Sequence, residues 1–364
     1  MNSSLHLTEY AIPIRNLWHM LTYAWGGHSI TNRVILDDVE ESPTLDALLA
    51  SMLVRLVGQR MRIGLGRGYV DLKAPIHAIR GRVNFAKSLK RNSFDLGQAY
   101  CEFQSYGLNI QKNQIIRSVL AYLTREGNFG PNQIHAEELR QSIRRLVRSL
   151  DGIDLVEPKV DLIRRLAYDE KDSDYRLMLG ICELTLLGRM PADTAGTNRQ
   201  PGLNRAELTL HVIYERFVAN FYRLNLKGWR VSPQKHLAWH ENSPNPFLPA
   251  MRPDLVLEEK STGRVLVLDT KFTPKSLIEN QWGKKEFDSS HLYQLYAYVK
   301  TQEHLSPVHR QASGILLYPS VDGVLLSEKI QLQDMALRVE TVDLTPPWQE
   351  VENRLMNLIS TPEK

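Results

Sequence analysis

The chain has 364 residues, of which 43% are hydrophobic and 24% are charged, with two cysteines and a formal net charge of +4. This composition is that of an ordinary globular protein, and it excludes disordered, collagen-like and disulfide-stapled classes, while the mild positive charge permits nucleic acid as a partner without requiring it. No apolar run approaches the roughly 18 residues of a membrane span, so we expect a cytoplasmic protein with no membrane partner.

The N-terminal part of the chain predicts two helices followed by short strands. Apolar residues at helical spacing predict a helix over 14–27, which a glycine pair ends, and a second helix over 44–64. Alternating pieces with turn residues predict strands within 68–89. The glycines at 64–68 lack the Gly-Lys-Ser/Thr ending of a phosphate-binding loop, and they predict a plain turn.

A basic helical stretch is predicted over 113–150. One of its helices carries an apolar stripe and four arginines, which form either a solvated face or a contact to the DNA backbone. These arginines are Arg140, Arg144, Arg145 and Arg148. The polar, acidic stretch 168–176 then predicts a domain boundary, so we expect one domain over 1–165 and a second over 166–364.

The C-terminal part predicts alternating helices and strands. In chain order the predicted elements are a helix over 206–226, a hairpin over 252–272, a helix over 289–302, and strands over 312–319 and near 337–344. Pro319 is expected to end the first of these two strands. The chain as a whole therefore predicts an α/β (α+β) fold, in which a mixed region of helices and short strands precedes a mixed sheet flanked by helices.

The predicted hairpin carries charged residues on otherwise apolar strands. Strand side chains alternate, so Asp269 and Lys271 share one face. If the hairpin turns between Ser261 and Thr262, Asp254 lies directly across from Asp269. Opposed carboxylates roughly 5 Å apart destabilise one another unless a cation lies between them. Because Mg²⁺ prefers carboxylate oxygens and needs only one or two from the protein, we predict Mg²⁺ as a cofactor held by Asp254 and Asp269.

Three further side chains are candidates for the same site. Lys271 is predicted beside the metal, where its ammonium can orient or help to deprotonate an attacking water; the alternative is a buried Asp–Lys ion pair. Glu215 lies on a mostly apolar helix face, and it is either solvated or a third carboxylate of the site. Gln294 and Tyr298 are four residues apart on one helix face, where they either support the site or simply pack.

These residues, taken in order, resemble a known nuclease superfamily. A helix with an acid, a Pro-Asp strand, an Asp-x-Lys strand and a Gln-x-x-x-Tyr helix together resemble the PD-(D/E)xK pattern. The stretch 12–26 resembles the opening signature of the McrC family, and three later stretches resemble McrC segments in the same order. These stretches are 81–89, 113–123 and 316–322.

The resemblance implies more than the residues show. McrC is the nuclease subunit of McrBC modification-dependent restriction systems, and it works with McrB, an AAA+ GTPase that forms hexameric rings. It implies that residues 1–165 dock on the ring and stimulate GTP hydrolysis. The first helix of this part carries Arg15, Asn16 and Trp18, and arginine and aromatic residues are the usual anchors of such contacts. It implies that residues 166–364 form the PD-(D/E)xK endonuclease domain and cut double-stranded DNA, while the partner recognises the modified base. The catalytic residues implied are Asp254, Asp269, Lys271, Glu215 and Gln294.

Two other functions compete with a Mg²⁺-dependent endonuclease subunit. One is a ring-binding GTPase activator whose nuclease site is silent; the complete set of two aspartates and a lysine disfavours it. The other is a stand-alone nuclease of a repair type, which the long N-terminal half disfavours because such a segment usually serves a partner. The third motif position is Asp269 where the superfamily more often has glutamate, which is an accepted variant.

Overall fold

The structure is a computed structural model, and its chain divides into two compact units. It describes residues 4–7, 10–26, 44–169, 172–187, 205–239, 245–273, 277–279, 285–320 and 325–360. The terminal unit consists of 1–45 and 190–364, and the central unit of 46–189. The predicted functional division at 165/166 stays a prediction. Within the described residues, no helix is long and apolar enough to cross a membrane.

The described strands form a mixed sheet and three smaller antiparallel sheets. They are β1 (Ser4–Leu7), β2 (Tyr10–Pro13), β3 (Gly68–Ile76), β4 (Arg82–Val83), β5 (Ala99–Gly107), β6 (Trp229–Pro233), β7 (Leu255–Glu259), β8 (Val265–Thr270), β9 (Leu277–Glu279), β10 (Lys285–Phe287), β11 (Ser313–Ser320), β12 (Ser327–Leu332) and β13 (Met335–Asp343). The small sheets are β1–β2, β9–β10 and β3-β5-β4. The mixed α/β character predicted from the sequence is confirmed.

The large sheet belongs to the terminal unit and has the strand order β12-β13-β11-β8-β7-β6. Its centre is parallel, because β11 pairs in parallel with both β8 and β13, while the outer strands pair antiparallel. Every residue of β8 and β11 is buried. Such continuous apolar runs are typical of parallel strands covered on both faces. β11 continues through Pro319, contrary to the prediction, because its pairing with β8 has already ended at Leu317, so no ladder bond to β8 is lost there.

The described helices cover both faces of the large sheet and build the central unit. They are α1 (Ile14–Ala24), α2 (Leu45–Ile63), α3 (Phe85–Lys90), α4 (Gln111–Glu126), α5 (Gln133–Ser149), α6 (Val160–Arg164), α7 (Ser173–Leu187), α8 (Arg205–Asn225), α9 (Ser289–Lys300), α10 (Pro307–Arg310) and α11 (Trp348–Ser360). Tyr214 of α8 contacts Phe272 after β8, with ring centroids 5.7 Å apart. On the other face, Leu295 of α9 packs in one cluster with Val265 and Val267 of β8.

Helix α1 is part of the core of the terminal unit. It packs along α8, and Leu17 and Trp18 are fully buried. The Asn16 amide donates hydrogen bonds to the backbone oxygens of Leu344 (2.7 Å) and Pro346 (2.8 Å). The expectation that Trp18 anchors a partner is therefore wrong, since its side chain is enclosed by its own unit, as is that of Asn16. Arg15 is exposed.

The central unit explains the glycine-rich stretch at 64–68. The Gly66 N–H donates to the Tyr175 hydroxyl (2.9 Å), which donates to Asn113 Oδ1 (2.5 Å). Asn113 in turn donates to the Gly66 carbonyl oxygen (2.9 Å). Residues 64–67 connect α2 to β3, and the polar groups of Gly66 bind protein atoms of α4 and α7.

Two features of the central unit differ from, or extend, the sequence prediction. The sequence predicts strands within 68–89, but the last part of this stretch forms helix α3. The Asn84 side chain caps the start of this helix, because it accepts a hydrogen bond from the Lys87 N–H (3.0 Å). On α5, Arg144 forms an ion pair with Glu137 (2.9 Å), and both side chains are about half exposed. The cysteines Cys101 and Cys182 are both free and buried.

Candidate functional site

The β7–β8 hairpin has the register that the sequence predicts. Leu255 pairs with Leu268, so the next position along each strand is occupied by Asp254 and Asp269. Asp254 lies just before β7, and its Oδ2 accepts hydrogen bonds from the Thr270 N–H (2.7 Å) and Thr270 Oγ1 (2.5 Å). The hairpin therefore fixes the carboxylate of Asp254 against the strand that carries Asp269.

Lys271 connects this hairpin to α9. Its ammonium lies 2.7 Å from Asp269 Oδ2 and donates to Gln294 Oε1 at 2.7 Å. The Gln294 amide donates to the Tyr298 hydroxyl (2.7 Å), which donates to the backbone oxygen of Arg252 (3.4 Å). The predicted Gln-x-x-x-Tyr pair thus lies against the lysine, and a continuous chain of hydrogen bonds holds the ammonium in place.

Glu215 of α8 joins the site through a residue that the sequence did not reveal. The Gln234 side-chain nitrogen donates to Glu215 Oε1 (2.6 Å) and to Asp254 Oδ1 (3.2 Å). Gln234 follows β6, a strand that was not predicted, and it has a left-handed backbone with φ 48°. A lone glutamine after an edge strand gives no sequence signal. All five predicted site residues are therefore in one connected cluster, with Gln234 as its added member.

The carboxylates of the cluster lie close to one another and are partly buried. Burial raises the pKa of Asp254 well above its ordinary value, and the charges of Asp269 and Glu215 raise it further, while the Thr270 hydrogen bonds oppose this. Burial also raises the pKa of Glu215, which the Gln234 hydrogen bond lowers in part. Both upward pKa shifts mean that the ionised form of each carboxyl group is destabilised at this site.

For Lys271, in contrast, the surroundings favour the charged form. Burial lowers the pKa of Lys271, but the charge and hydrogen bond of Asp269 and the charge of Asp254 outweigh it, so the net pKa is raised. Lys271 is therefore an ammonium at neutral pH. Two histidines lie within range of its charge: burial first, and then Lys271, lowers the pKa of His211 and of His291.

The donor set fits a hard divalent cation. Asp269 is 2% exposed, and its buried Oδ2 lies 2.7 Å from the Lys271 ammonium. Within the part of the chain that the structure describes, no group of three or more His, Cys, Asp or Glu is placed to hold a metal by itself. Mg²⁺ does not require one, because it keeps several waters and uses one or two carboxylates. Asp254 and Asp269 supply those two.

The fold and the site together define an α/β protein in which two carboxylates, a paired ammonium and a supporting glutamine meet at a buried strand end. The chain belongs to the family of McrBC 5-methylcytosine restriction system components, whose family model matches residues 8–319. This confirms the resemblance found in the sequence. The chain is thus a McrC-like component of a McrBC-type restriction system.

The chain is also similar to individual known proteins. The chain is 26% identical over 357 residues to a protein of Escherichia coli (strain K12) described as the type IV methyl-directed restriction enzyme EcoKMcrBC, covering 97% of this chain and 98% of that one. Among solved structures, one is a half-complex of Thermococcus gammatolerans McrB AAA+ hexamers with bound McrC (16% identity, TM-score 0.48, 95% of this chain and 76% of that chain). Another is the cryo-EM structure of the McrBC complex of the same organism (16% identity, TM-score 0.35, 60% of each chain).

Proposed function

We propose that this chain is the DNA-cleaving subunit of its restriction system, and that it hydrolyses phosphodiester bonds with Mg²⁺ at a PD-(D/E)xK site. The observation that carries the proposal is the hairpin register, which brings Asp254 next to the Asp269–Thr270–Lys271 segment as that reaction requires. Family membership supports a restriction activity in general. The identity of the catalytic residues, the Mg²⁺ ion and the hydrolysis of phosphodiester bonds are what we propose beyond that.

Asp254 and Asp269 would hold the metal, which supplies a water of lowered pKa and neutralises phosphate charge. Asp254 is pre-oriented for this because Thr270 holds its Oδ2. Since Lys271 is an ammonium, we assign it no role as a general base. Its three N–H donors leave at least one free after Asp269 and Gln294, and that donor can orient the attacking water or stabilise the phosphate oxygen that gains charge.

The partner that we propose is a McrB-like AAA+ GTPase ring, as in the complexes named above. The chain carries a surface of the kind that docks on proteins. We define the α3 patch as the exposed side chains Phe85, Leu89, Phe94 and Leu96, which are 66%, 66%, 42% and 68% exposed. Phe85 and Phe94 are in contact, with ring centroids 6.2 Å apart. Grouped exposed aromatic and aliphatic side chains mark interaction sites.

Basic residues surround the α3 patch. Lys87 and Arg91 lie over the Tyr100 ring at 5.1 and 5.2 Å, and Lys90 is on the same short helix. An apolar contact with a positive rim fits an apolar partner surface edged by acidic residues. We therefore propose that the central unit, within the predicted N-terminal docking region, contacts the ring through the α3 patch.

Cleavage and ring stimulation are measured in one experiment. The purified chain is mixed with a McrB-like GTPase from the same source, GTP, and plasmid containing methylcytosine; DNA cleavage and GTP turnover are followed together. We expect cleavage that needs Mg²⁺ and stops in Asp254→Ala and Asp269→Ala, while both variants still stimulate GTP turnover. Cleavage that persists in these variants would refute the site. A wild-type chain that stimulates but never cuts any modified DNA would favour the activator without nuclease function.

Two substitutions test the α3 patch, and a third at another exposed apolar residue is their control. Phe85→Ser and Leu89→Ser should lower the stimulation of GTP turnover and leave the melting temperature unchanged, because both side chains are exposed. Ile134→Ser on α5, where the side chain is 72% exposed, is the control and should do neither. If the three variants stimulate equally well, the ring does not contact the α3 patch.

A further inference from the structure

Gln234 is an exposed residue that touches two carboxylates at once. Its side-chain nitrogen is 2.6 Å from Glu215 Oε1 and 3.2 Å from Asp254 Oδ1. Its backbone N–H donates to the Asp254 carbonyl oxygen at 3.0 Å. One glutamine thus binds Asp254 at both its main chain and its side chain, and also holds the acid of α8.

The chemistry of the amide makes this contact specific. A glutamine amide has two N–H donors on its nitrogen and an acceptor oxygen. Ionised carboxylates only accept, so the nitrogen must face them, and both of its hydrogens are used when Glu215 and Asp254 are charged. A glutamate at this place would add a third negative charge, and an apolar side chain would leave two like charges without a donor between them.

The backbone of Gln234 adopts a conformation that is uncommon for residues other than glycine. Its φ of 48° lies in the left-handed region, which side chains with a Cβ rarely adopt. Gln333, with φ 53° in the exposed turn between β12 and β13, has the same backbone feature far along the chain from any site residue. After Gln234 the chain continues beside the residues that precede β7, with a bridge between Leu237 and Met251, while the Gln234 side chain contacts the carboxylates.

We propose that Gln234 is a positioning residue of the nuclease site, which sets the orientation of Asp254 and ties Glu215 of α8 to that carboxylate. Asp254 then has both oxygens oriented: Oδ2 by Thr270 and Oδ1 by Gln234. Residues that orient metal ligands in this way typically change metal affinity about 10- to 100-fold when they are removed. The inference rests on the proposed function, because it takes Asp254 to be a metal ligand.

The test separates the amide from the backbone. Gln234→Ala and Gln234→Gly both remove the amide, but only glycine relieves the left-handed backbone. Mn²⁺ binding to the purified full-length chain is measured by electron paramagnetic resonance, without DNA or partner. We expect both variants to bind Mn²⁺ about 10- to 100-fold more weakly than wild type, and to the same extent. Gln333→Ala and Gln333→Gly are the controls for the backbone and should bind like wild type.

Each outcome decides a separate point. If the glycine variant binds Mn²⁺ like wild type and only the alanine variant is weakened, the backbone turn and not the amide matters, and the inference is wrong. Wild-type binding in both variants would also overturn it. Asp254→Asn serves as the reference: if it leaves Mn²⁺ binding intact, the proposed metal site itself fails. A weakened Asp254→Asn with unaffected Gln234 variants overturns only the positioning role. Circular dichroism of each variant confirms that the exposed substitution has left the fold intact.

Discussion

Replacing Asp254 by asparagine should stabilise the protein in the absence of metal while abolishing DNA cleavage. The reason is the crowding of charge at the hairpin: Asp269 lies 2.7 Å from the ammonium of Lys271, whereas the carboxylates of Asp254 and Glu215 share the neutral amide of Gln234. Asparagine has the same shape as aspartate and keeps an oxygen for the Thr270 donors, so it removes the charge and otherwise disturbs chiefly the hydrogen bond from Gln234.

The magnitude follows from the shared amide. Since the two oxygens lie 2.6 and 3.2 Å from one nitrogen, they are at most about 5.8 Å apart. Two unit charges at that separation repel by about 3 kcal/mol at an effective dielectric constant near 20. A lost or rearranged hydrogen bond offsets about 1 kcal/mol. The net gain of about 2 kcal/mol corresponds to a rise in Tm of about 4–8 °C for a unit of this size.

The assay is thermal unfolding of wild type and Asp254→Asn in EDTA at neutral pH, with Asp334→Asn in the exposed β12–β13 turn as the control. Adding Mg²⁺ should raise the Tm of wild type, because a cation that binds only the folded state stabilises it, and should leave Asp254→Asn nearly unchanged. An asparagine variant that melts below wild type in EDTA would show that the carboxylates do not repel one another, and the reasoning would fail.

The pH dependence has a defined sign. The pKa of Asp254 is raised in the folded protein, mainly by burial, so the folded state binds more protons than the unfolded state above the ordinary pKa of about 3.9. Stability contributed by Asp254 is therefore present at low pH and is lost as the pH rises toward the raised folded value. The Tm difference between Asp254→Asn and wild type should be small near pH 4 and should widen toward neutral pH.

Three further outcomes are expected. Lys271→Met should lose cleavage but keep Mn²⁺ binding by calorimetry. The control Lys300→Met, which breaks a partly exposed pair with Glu303, should change neither. Loss of Mn²⁺ binding in Lys271→Met would make the lysine a structural partner only. Asn16→Ala should lower the Tm by removing the donor to two buried carbonyls, at a cost of about 1–3 kcal/mol; an unchanged Tm would contradict the place of α1 in the core. Gln294→Ala should slow cleavage at saturating Mg²⁺ with little change in the Mg²⁺ concentration required, and a shifted Mg²⁺ requirement alone would argue against its action through Lys271.

The hairpin could be predicted because the residues that determine its register lie close together in the sequence. Alternation of apolar residues, a Ser-Thr-Gly turn and the two aspartates lie within one short stretch, so the register followed from counting. Lys271, Gln294 and Glu215 were found because each lies at a regular spacing on its own strand or helix. The contact of Lys271 with Gln294 needed only the expectation that α9 follows the hairpin and packs on the same face of the sheet.

What could not be predicted depends on contacts between distant parts of the chain. Strand β6 is only five residues long, and neither it nor Gln234 after it was predicted. Helix α1 has the pattern of an amphipathic helix, which shows that one face is buried but not by what. Its burial against α8 and α11 brings the N-terminus into the unit that carries the site, whereas sequence order alone placed it with the docking region. Deleting residues 1–165 would therefore also remove α1 from that core.

The most direct test of the metal site is anomalous scattering from a crystal of the protein soaked in Mn²⁺. The site described here predicts an anomalous peak bound by the carboxylates of Asp254 and Asp269, at ligand distances of about 2.1 Å, beside the ammonium of Lys271. The peak should vanish in Asp254→Asn crystals grown and soaked in the same way. A manganese ion bound elsewhere, with none at these two carboxylates, would contradict the proposal that this hairpin holds the catalytic metal.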